Sequence, residues 1–261
     1  KMKFNKNFSK KFNKDGYILF NNLLNKKELK EISKRLKYLS KKQKDGRGLS
    51  EPGADKSLIH SLHKDQNLKK IIEEKNWFKL ISCGLLNCET VFTWNAKSNL
   101  KHKWIGSVEY YHQDYIYWKG LGFKSSNMLN CMIFVDDHSH LNAGLWVFPG
   151  THKKMYTHEK FLNINSLQKY FVPPKILTKV NKKYPATSIK GKAGSCLFFH
   201  SKLIHGSSHN ISPDDRKILL YDVSSLQDYK SARKDKIQSF NRKSRIKFEL
   251  KELEKRIAVL R

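Results

Sequence analysis

The sequence KAGSCLFFHSKLIHGSSHNISPDDRKILLYDV, residues 192–223, decides the fold because it holds two short apolar segments, GSCLFFH and RKILLYDV, separated by turn residues. Short segments rich in aromatic and β-branched residues and bounded by Gly, Pro, Asn and Ser are typical of antiparallel β-sheet. Three earlier segments are of the same kind: ETVFTW (89–94), NMLNCMIFVDD (127–137) and GLWVFPG (144–150). Such chains commonly close into a barrel or a double-sheet jelly roll, so we expect an antiparallel β domain from residue 89 onward.

Helical patterns precede this β region. The segment GYILFNNLL (16–24) predicts a short strand and a turn, and Asn25 with Glu28 three residues later forms a capping box that predicts the start of a helix. Asp65 is a candidate cap for a second helix. Within the β region, residues 163–183 contain two adjacent prolines and predict a long loop or insertion.

The C-terminal stretch is highly charged and contains neither Gly nor Pro. Its apolar residues recur at spacings of four and three, which predicts one helical stripe: Ile246, Leu250, Leu253, Ile257 and Leu260. We expect a terminal helix that docks on its own body, with a homodimer through this helix as the alternative. The predicted organisation is one domain over residues 1–225, with N-terminal helices at about 25–80, and a helical extension over residues 226–261.

The net charge of +29 in 261 residues suggests an anionic partner, but its composition argues otherwise. The basic residues are 44 Lys and only 8 Arg, and the chain also has 19 Asn. Nucleic-acid readers favour Arg for bidentate contacts, whereas a joint excess of Lys and Asn is typical of an A/T-rich coding sequence. Residues 104–152 contain Lys119 and Lys124 as their only Lys or Arg residues. We therefore expect no specific nucleic-acid partner.

Four cysteines are too few for a disulfide scaffold, and no run approaches the roughly 18 apolar residues of a membrane span. The N-terminal residues lack the apolar region of a secretory signal. We expect a cytoplasmic protein without membrane contact. Cys83 and Cys88 lack the second pair that a zinc site needs, and we interpret them as core thiols.

Two His-x-Asp triplets occur, and their contexts differ. His63 and Asp65 have polar flanks, and Asp65 lies where a helix cap is needed. His112 and Asp114 lie in the aromatic segment VEYYHQDYIYW (108–118), where residues two apart on a strand share a face and reach one metal. Two imidazoles and one carboxylate leave three positions open for a bidentate co-substrate and dioxygen, the arrangement of non-haem Fe(II) oxygenases.

A third ligand must come from a distant strand, and FFHSKLIHGSSHN (198–210) offers His200, His205 and His209. His205 precedes a Gly-Ser turn where close approach is feasible, whereas His200 is equally compatible with a packed core. Arg216 opens an apolar strand, where its charge is costly without a carboxylate partner. A 2-oxo diacid would supply one, and so would a salt bridge with Asp214 or Asp215; both interpretations stay open.

The segments HQDYIYW (112–118), PGTH (149–152) and residues 192–216 together resemble the phytanoyl-CoA dioxygenase (PhyH-like) family of Fe(II)- and 2-oxoglutarate-dependent oxygenases. The resemblance covers residues 12–222 and weakens at 47–87 and 156–184. It implies an α+β, mainly β fold: a double-stranded β-helix (jelly-roll or cupin-like) core, with N-terminal helices packed outside and a C-terminal helix.

The resemblance also assigns roles. It implies iron ligands at His112, Asp114 and His205, and 2-oxoglutarate contacts at Arg216, Ser207 and Asn130. Substrate-pocket candidates are Trp118, Tyr115, Lys97 and Asn99, the last two only weakly because the family's Lys-Pro-Pro segment is not matched here. Since the carboxylate of Asp114 is retained, the resemblance implies hydroxylation in place of halogenation.

The implied activity is hydroxylation of an unactivated C–H bond in a small metabolite, with dioxygen consumed and succinate and CO2 released. The general positive field favours a substrate with an anionic group. One alternative is a nucleic-acid or protein demethylase or hydroxylase on the same fold, which the positive charge favours. The other is a non-catalytic binding module, which the complete ligand set opposes.

Overall fold

The computed structural model describes residues 4–42, 58–160 and 168–232, so the predicted terminal helix lies outside the described residues. The strands are β1 Tyr17–Phe20, β2 Leu58–Ile59, β3 Val91–Lys101, β4 Glu109–His112, β5 Met128–Phe134, β6 Leu145–Val147, β7 Glu159–Lys160, β8 Tyr170–Phe171, β9 Thr187–Ser188, β10 Cys196–His200, β11 His205–Ser207 and β12 Arg216–Ser225. The α-helices are α1 Lys6–Asp15, α2 Lys26–Lys42, α3 Gln66–Ile71, α4 Asn76–Leu86, α5 Tyr115–Gly120, α6 Pro174–Lys183 and α7 Leu226–Ser231.

Two antiparallel sheets form the core of the molecule. The large sheet has the strand order β1-β10-β5-β12-β3-β2, and the small sheet has the order β4-β11-β6-β9. Apolar side chains from both sheets meet between them, among them Phe134 and Ile218 from the large sheet and Leu145 and Val147 from the small one. The prediction of an antiparallel double-sheet core is therefore confirmed.

The large sheet is buried on both faces. Along β12, Ile218 and Leu220 point toward the small sheet, while Leu219, Tyr221 and Val223 point to the opposite face. There they pack with apolar residues of the N-terminal helices, so the helices cover the outside of the sheet. Burial on both faces explains why the sequence of β12 is almost continuously apolar. Because the helices cover the outer face, the candidate functional residues lie between the two sheets.

The two predicted helix starts are confirmed. The Asn25 side chain accepts from the Glu28 N–H at 3.0 Å, and Glu28 accepts from the Asn25 N–H at 2.9 Å, which completes the capping box. Asp65 caps α3 by accepting from the Leu68 N–H at 3.1 Å. Each cap satisfies backbone donors that the first helical turn leaves without partners.

Three local predictions were wrong. Residues 174–183 form α6 in place of a loop, because proline at the first helical positions loses no intrahelical hydrogen bond. The second half of HQDYIYW is α5, so the strand ends at His112. Cys88 is half-buried and packs against the core, but Cys83 is half-buried outside it, and the fully buried thiols belong to Cys131 and Cys196.

Among the described residues, no helix is both long enough and apolar enough to cross a membrane. The division at residue 225 stays a prediction.

Replacing Asp65 by Ala should lower the free energy of unfolding by about 1–3 kcal/mol, because it removes a helix cap and a charge-assisted hydrogen bond. Besides capping α3, Asp65 accepts from Arg35 at 2.6 and 2.9 Å, and although burial opposes it, this contact lowers the pKa of the carboxyl. Urea denaturation measures the change. The control Lys192→Ala breaks an exposed ion pair and should leave the denaturation midpoint unchanged. An unaltered midpoint in Asp65→Ala would contradict this account of the cap.

Candidate active site

Three potential metal ligands converge at one end of the small sheet. His112 ends β4, and His205 opens β11 directly opposite it in the strand pairing. Asp114 lies two residues beyond His112, at the start of α5. The ligand atoms of these three side chains all lie within 4.8 Å of one another, with Asp114 oxygens 3.4 Å from His112 Nε2 and 3.6 Å from His205 Nε2. One ion can therefore be reached by all three.

Hydrogen bonds on the far side of each ring orient the imidazoles. His112 Nδ1 lies 2.8 Å from the Tyr110 carbonyl, and His205 Nδ1 lies 3.0 Å from the Leu203 carbonyl. Because a carbonyl only accepts, each Nδ1 carries a proton, and each Nε2 faces Asp114, where loss of its own proton frees a lone pair for an ion. Partners of this kind fix the orientation of metal-ligating histidines.

Neighbouring side chains also set the charge and the orientation of the Asp114 carboxylate. Burial alone would raise the pKa of Asp114, but the neighbouring His205 and His112 hold that pKa well below its usual value. Asn130 Nδ2 also donates to Asp114 Oδ2 at 2.7 Å. Two imidazole nitrogens and one ionised carboxylate are the donor set of a non-haem Fe(II) site, so the residues present fit that metal.

The other candidate histidines of residues 198–210 lie elsewhere. The His200 ring packs 5.3 Å from the ring of His152 and near Phe12 of α1, and burial lowers the pKa of His200 to about 3. His209 Nδ1 contacts the Gly106 carbonyl. In the described parts of the chain, His112, Asp114 and His205 are the one group of three potential ligands that lie this close together.

Arg216 lies between the sheets with 2% of its surface exposed, paired in register with Lys101 of β3. No carboxylate of the described residues forms an ion pair with it, and its Nε has no hydrogen-bond partner there. Asp215 instead accepts from the Lys103 N–H. Burial lowers the pKa of Arg216 to about 10, which still leaves the guanidinium charged at neutral pH. The salt-bridge interpretation with Asp214 or Asp215 therefore has no support in the structure.

Near Arg216, the inner face of the site has a net positive charge. Lys97 and Lys101 lie on the inward face of β3, and with Arg216 they outnumber the two carboxylates that act on Arg216, Glu109 and Asp136. Burial would raise the pKa of Glu109, but the charges of Lys101, Lys97, His112 and Arg216 lower it to about 2. Asn99, a weak substrate-pocket candidate, donates to Glu109 at 2.7 Å.

A buried hydroxyl adds to this chamber. Ser207 lies on β11, two residues beyond His205, and its Oγ has no hydrogen-bond partner among the described residues. An unpaired guanidinium Nε and an unpaired hydroxyl are buried donors, which a dicarboxylate acceptor would satisfy. The chamber therefore fits a dianionic co-substrate.

The aromatic candidates belong mainly to a structural cluster. Trp118 packs edge-to-face on Trp94 at 5.4 Å, and the Tyr115 hydroxyl donates to the carbonyls of Phe123 and Lys124. Tyr117, one turn of α5 from Asp114, has its ring 6.1 Å from the His112 ring instead. The structure thus places Tyr117 next to the candidate ligands, whereas Tyr115 belongs to the buried aromatic cluster.

Sequence reasoning missed several polar residues that support the site. Gln113, fully buried between two candidate ligands, donates to the carbonyls of Lys154 and Lys202 and accepts from the Tyr156 N–H. Gln168 exchanges two hydrogen bonds with the backbone of Tyr110. Two features of the sequence could have predicted the other polar residues that face the site. These are the alternating polar residues of β3 and the charged residue at position 222 within an apolar strand.

Comparison with known proteins gives a consistent family. The sequence profile of the family described as Phytanoyl-CoA dioxygenase (PhyH) matches residues 12–218. L-proline trans-4-hydroxylase from Streptomyces griseoviridis is 24% identical over 225 residues, covering 80% of this chain and 82% of that protein. Ectoine dioxygenase from Bordetella parapertussis is 25% identical over 219 residues, covering 77% and 69%.

A solved structure gives the same fold. The crystal structure of EctD from S. alaskensis with 2-oxoglutarate and 5-hydroxyectoine matches with a TM-score of 0.73 at 20% identity, covering 86% of this chain and 77% of that one. At this level of identity the likeness concerns the fold, and it confirms the predicted cupin-like architecture.

Substitution of His112, Asp114 or His205 by Ala should each weaken Fe(II) binding by more than about a hundredfold, since loss of a mere supporting partner already costs ten- to a hundredfold. Calorimetric titration with Mn(II) under oxygen-free conditions measures the affinity. His200→Ala removes a nearby buried imidazole and serves as the control, which should bind metal normally. Retention of metal by His205→Ala together with its loss in His200→Ala would mean that the distal ligand is misassigned.

Proposed function

Since the chain belongs to the phytanoyl-CoA dioxygenase (PhyH) family, we propose that it is an Fe(II)- and 2-oxoglutarate-dependent dioxygenase that hydroxylates an unactivated C–H bond of a small molecule. The observation that carries this proposal is the convergence of His112, Asp114 and His205 within 4.8 Å of one another. Bound Fe(II) with 2-oxoglutarate supplies the chemistry: one oxygen atom of dioxygen enters the C–H bond, and the other enters succinate as CO2 leaves.

In this proposal, the protein contributes geometry and charge. His112 and His205 would hold Fe(II) through their Nε2 atoms, and Asp114 would hold it through an ionised oxygen. The remaining positions on the ion are left for the co-substrate and dioxygen. Asn130, which holds Asp114 from β5, keeps a second N–H that can reach the co-substrate. No protein group is needed as a general base.

Arg216 is the proposed partner of the distal carboxylate of 2-oxoglutarate. Its guanidinium is buried without an ion pair in the described structure, and a carboxylate can accept two parallel hydrogen bonds from it. Ser207, which pairs with Glu109 across β4 and β11, adds a buried hydroxyl donor. The surplus of positive charge contributed by Lys97 and Lys101 compensates the second negative charge of the diacid.

A small-molecule substrate is supported by the names of the relatives, a proline hydroxylase and ectoine dioxygenases. Burial of the cations supports a small molecule too. Arg216 and Lys101 are buried between the sheets, so a phosphate backbone could not contact them. The net charge of +29 favours substrates that also carry an anionic group, by steering them to the protein.

Arg216→Lys should raise the apparent KM for 2-oxoglutarate about ten- to more than a hundredfold, because an ammonium cannot make the two parallel bonds of a guanidinium. Initial rates of succinate release at varied 2-oxoglutarate measure it. Arg35→Lys, an Arg on the distant α2 that contacts Asp65, is the matched control and should leave KM unchanged. An unchanged KM in Arg216→Lys would mean that Arg216 has a structural role and does not bind 2-oxoglutarate.

Oligonucleotide binding tests the main alternative, a nucleic-acid demethylase. A non-specific Lys-rich surface should bind DNA or RNA weakly and lose that binding as salt rises to about 0.2 M. Fluorescence anisotropy across a salt series, with parallel assays of succinate release, gives both readouts. Sub-micromolar binding that survives this salt concentration, together with oligonucleotide-stimulated succinate release, would contradict the small-molecule proposal.

A further inference from the structure

The inner face of the large sheet carries a carboxyl group that the proposed chemistry does not use. Asp222 lies on β12 on the same face as Arg216, Ile218 and Leu220, and 4% of its surface is exposed. A carboxylate at this depth is costly unless an opposite charge or several hydrogen bonds stabilise it.

The described residues give Asp222 little stabilisation. Asn95 Nδ2 donates to Asp222 Oδ2 at 2.6 Å, and no Lys, Arg or His of these residues forms an ion pair with the carboxyl group within 4.0 Å. Burial raises the pKa of Asp222 to about 7, with Lys97 opposing the shift from a distance and Asp114 adding to it. Among the described residues, Asp222 therefore has no cation within ion-pair distance, and Lys97 acts on it only from farther away.

A second acceptor lies on the neighbouring strand. Asn130 is directly opposite Asp222 in the β5–β12 pairing and has no exposed surface. Because the ionised Asp114 can only accept, Asn130 must turn its Nδ2 toward that ligand, and its Oδ1 is left as an acceptor. This Oδ1 has no hydrogen-bond partner in the described structure. One buried acceptor without a donor, Asn130 Oδ1, and one buried carboxyl group with a single side-chain donor, Asp222, thus lie beside the proposed metal ligand Asp114.

We propose that Asp222, with Asn95 and Asn130, binds a protonated amine of the substrate, so that the substrate class is small amines, including amino acids and cyclic imino acids. The inference rests on the proposed function, because it names the substrate of the same site. A protonated amine provides the missing positive charge and N–H donors at once. An anion-only substrate would instead place another negative charge next to Asp222.

The neighbouring residues suit a compact zwitterion. Lys97 lies two residues along β3 from Asn95 on the same face, so a substrate carboxylate has a cation within one small molecule's length of Asp222. Trp94, the residue before Asn95, is buried and packs edge-to-face on Trp118.

The test uses the 261-residue chain loaded with Mn(II) and 2-oxoglutarate. A panel of small amines, among them L-proline and pyrrolidine, is paired with isosteres that lack the basic nitrogen, such as cyclopentanecarboxylate and tetrahydrofuran-2-carboxylate. Isothermal calorimetry measures binding, and succinate release with Fe(II) measures coupling. At least one amine should bind, and its isostere should bind about tenfold or more weakly.

Asp222→Asn, which keeps an acceptor for Asn95, should weaken binding of that amine about ten- to a hundredfold and leave the affinity for 2-oxoglutarate unchanged. Asp137→Asn, which neutralises an exposed carboxylate paired with Lys192, is the matched control and should leave both affinities unchanged. Asp222→Ala provides a second variant with the same expected loss, and melting curves verify that the variants are folded.

Three outcomes would overturn the inference: no amine of the panel binds, the isosteres bind better than the amines, or D222N binds the amine normally. Unfolding of both Asp222 variants would give the residue a purely structural role and would also overturn it. If the unmodified protein fails to bind 2-oxoglutarate, the proposed function itself fails. Loss of amine binding with 2-oxoglutarate binding intact is therefore distinguishable from that case.

Discussion

The rest of the structure depends on one constraint: two imidazoles and one carboxylate are held within 4.8 Å of one another and are nearly inaccessible to solvent. The antiparallel pairing of β4 with β11 sets His112 opposite His205, and the end of β4 lets Asp114 turn in between them. Backbone carbonyls then fix each ring, and Asn130 reaches from the large sheet to fix the carboxylate. The two sheets must therefore be correctly registered for the site to exist.

The remaining buried charges divide the space between the sheets into two regions. Around Arg216, positive charge exceeds negative, and buried donors lack partners, which suits a dicarboxylate. Near the other end of β12, Asp222 and Asn130 are acceptors without enough donors, which suits a cation. The proposed metal ligand Asp114 lies next to the second region, because Asn130 hydrogen-bonds to it. One strand, β12, thus carries the proposed co-substrate contact and the proposed substrate contact on the same face.

The sequence predicted the sheet architecture and the helix caps because those features depend on local alternation and on short-range hydrogen bonds. The prediction of a loop at Pro174 failed because proline is found both at the start of helices and after their ends. The prediction of a strand at Tyr115–Gly120 failed because its aromatic composition is equally compatible with a strand and a helix. The choice among three histidines was not decidable from spacing, since it depends on which strand β11 pairs with. Glu109 and Asp222 were overlooked because a single buried charge acquires meaning only from neighbours distant in the chain.

The most direct test of the central claim is an anaerobic titration of the metal-free protein with Fe(II) followed by 2-oxoglutarate, monitored by visible absorption. Chelation of the metal by the 2-oxo acid produces a charge-transfer band that neither component gives with protein alone. The account predicts that this band appears and saturates at one Fe(II) and one 2-oxoglutarate per chain. A protein that binds Fe(II) but develops no such band, or that binds neither, would contradict it.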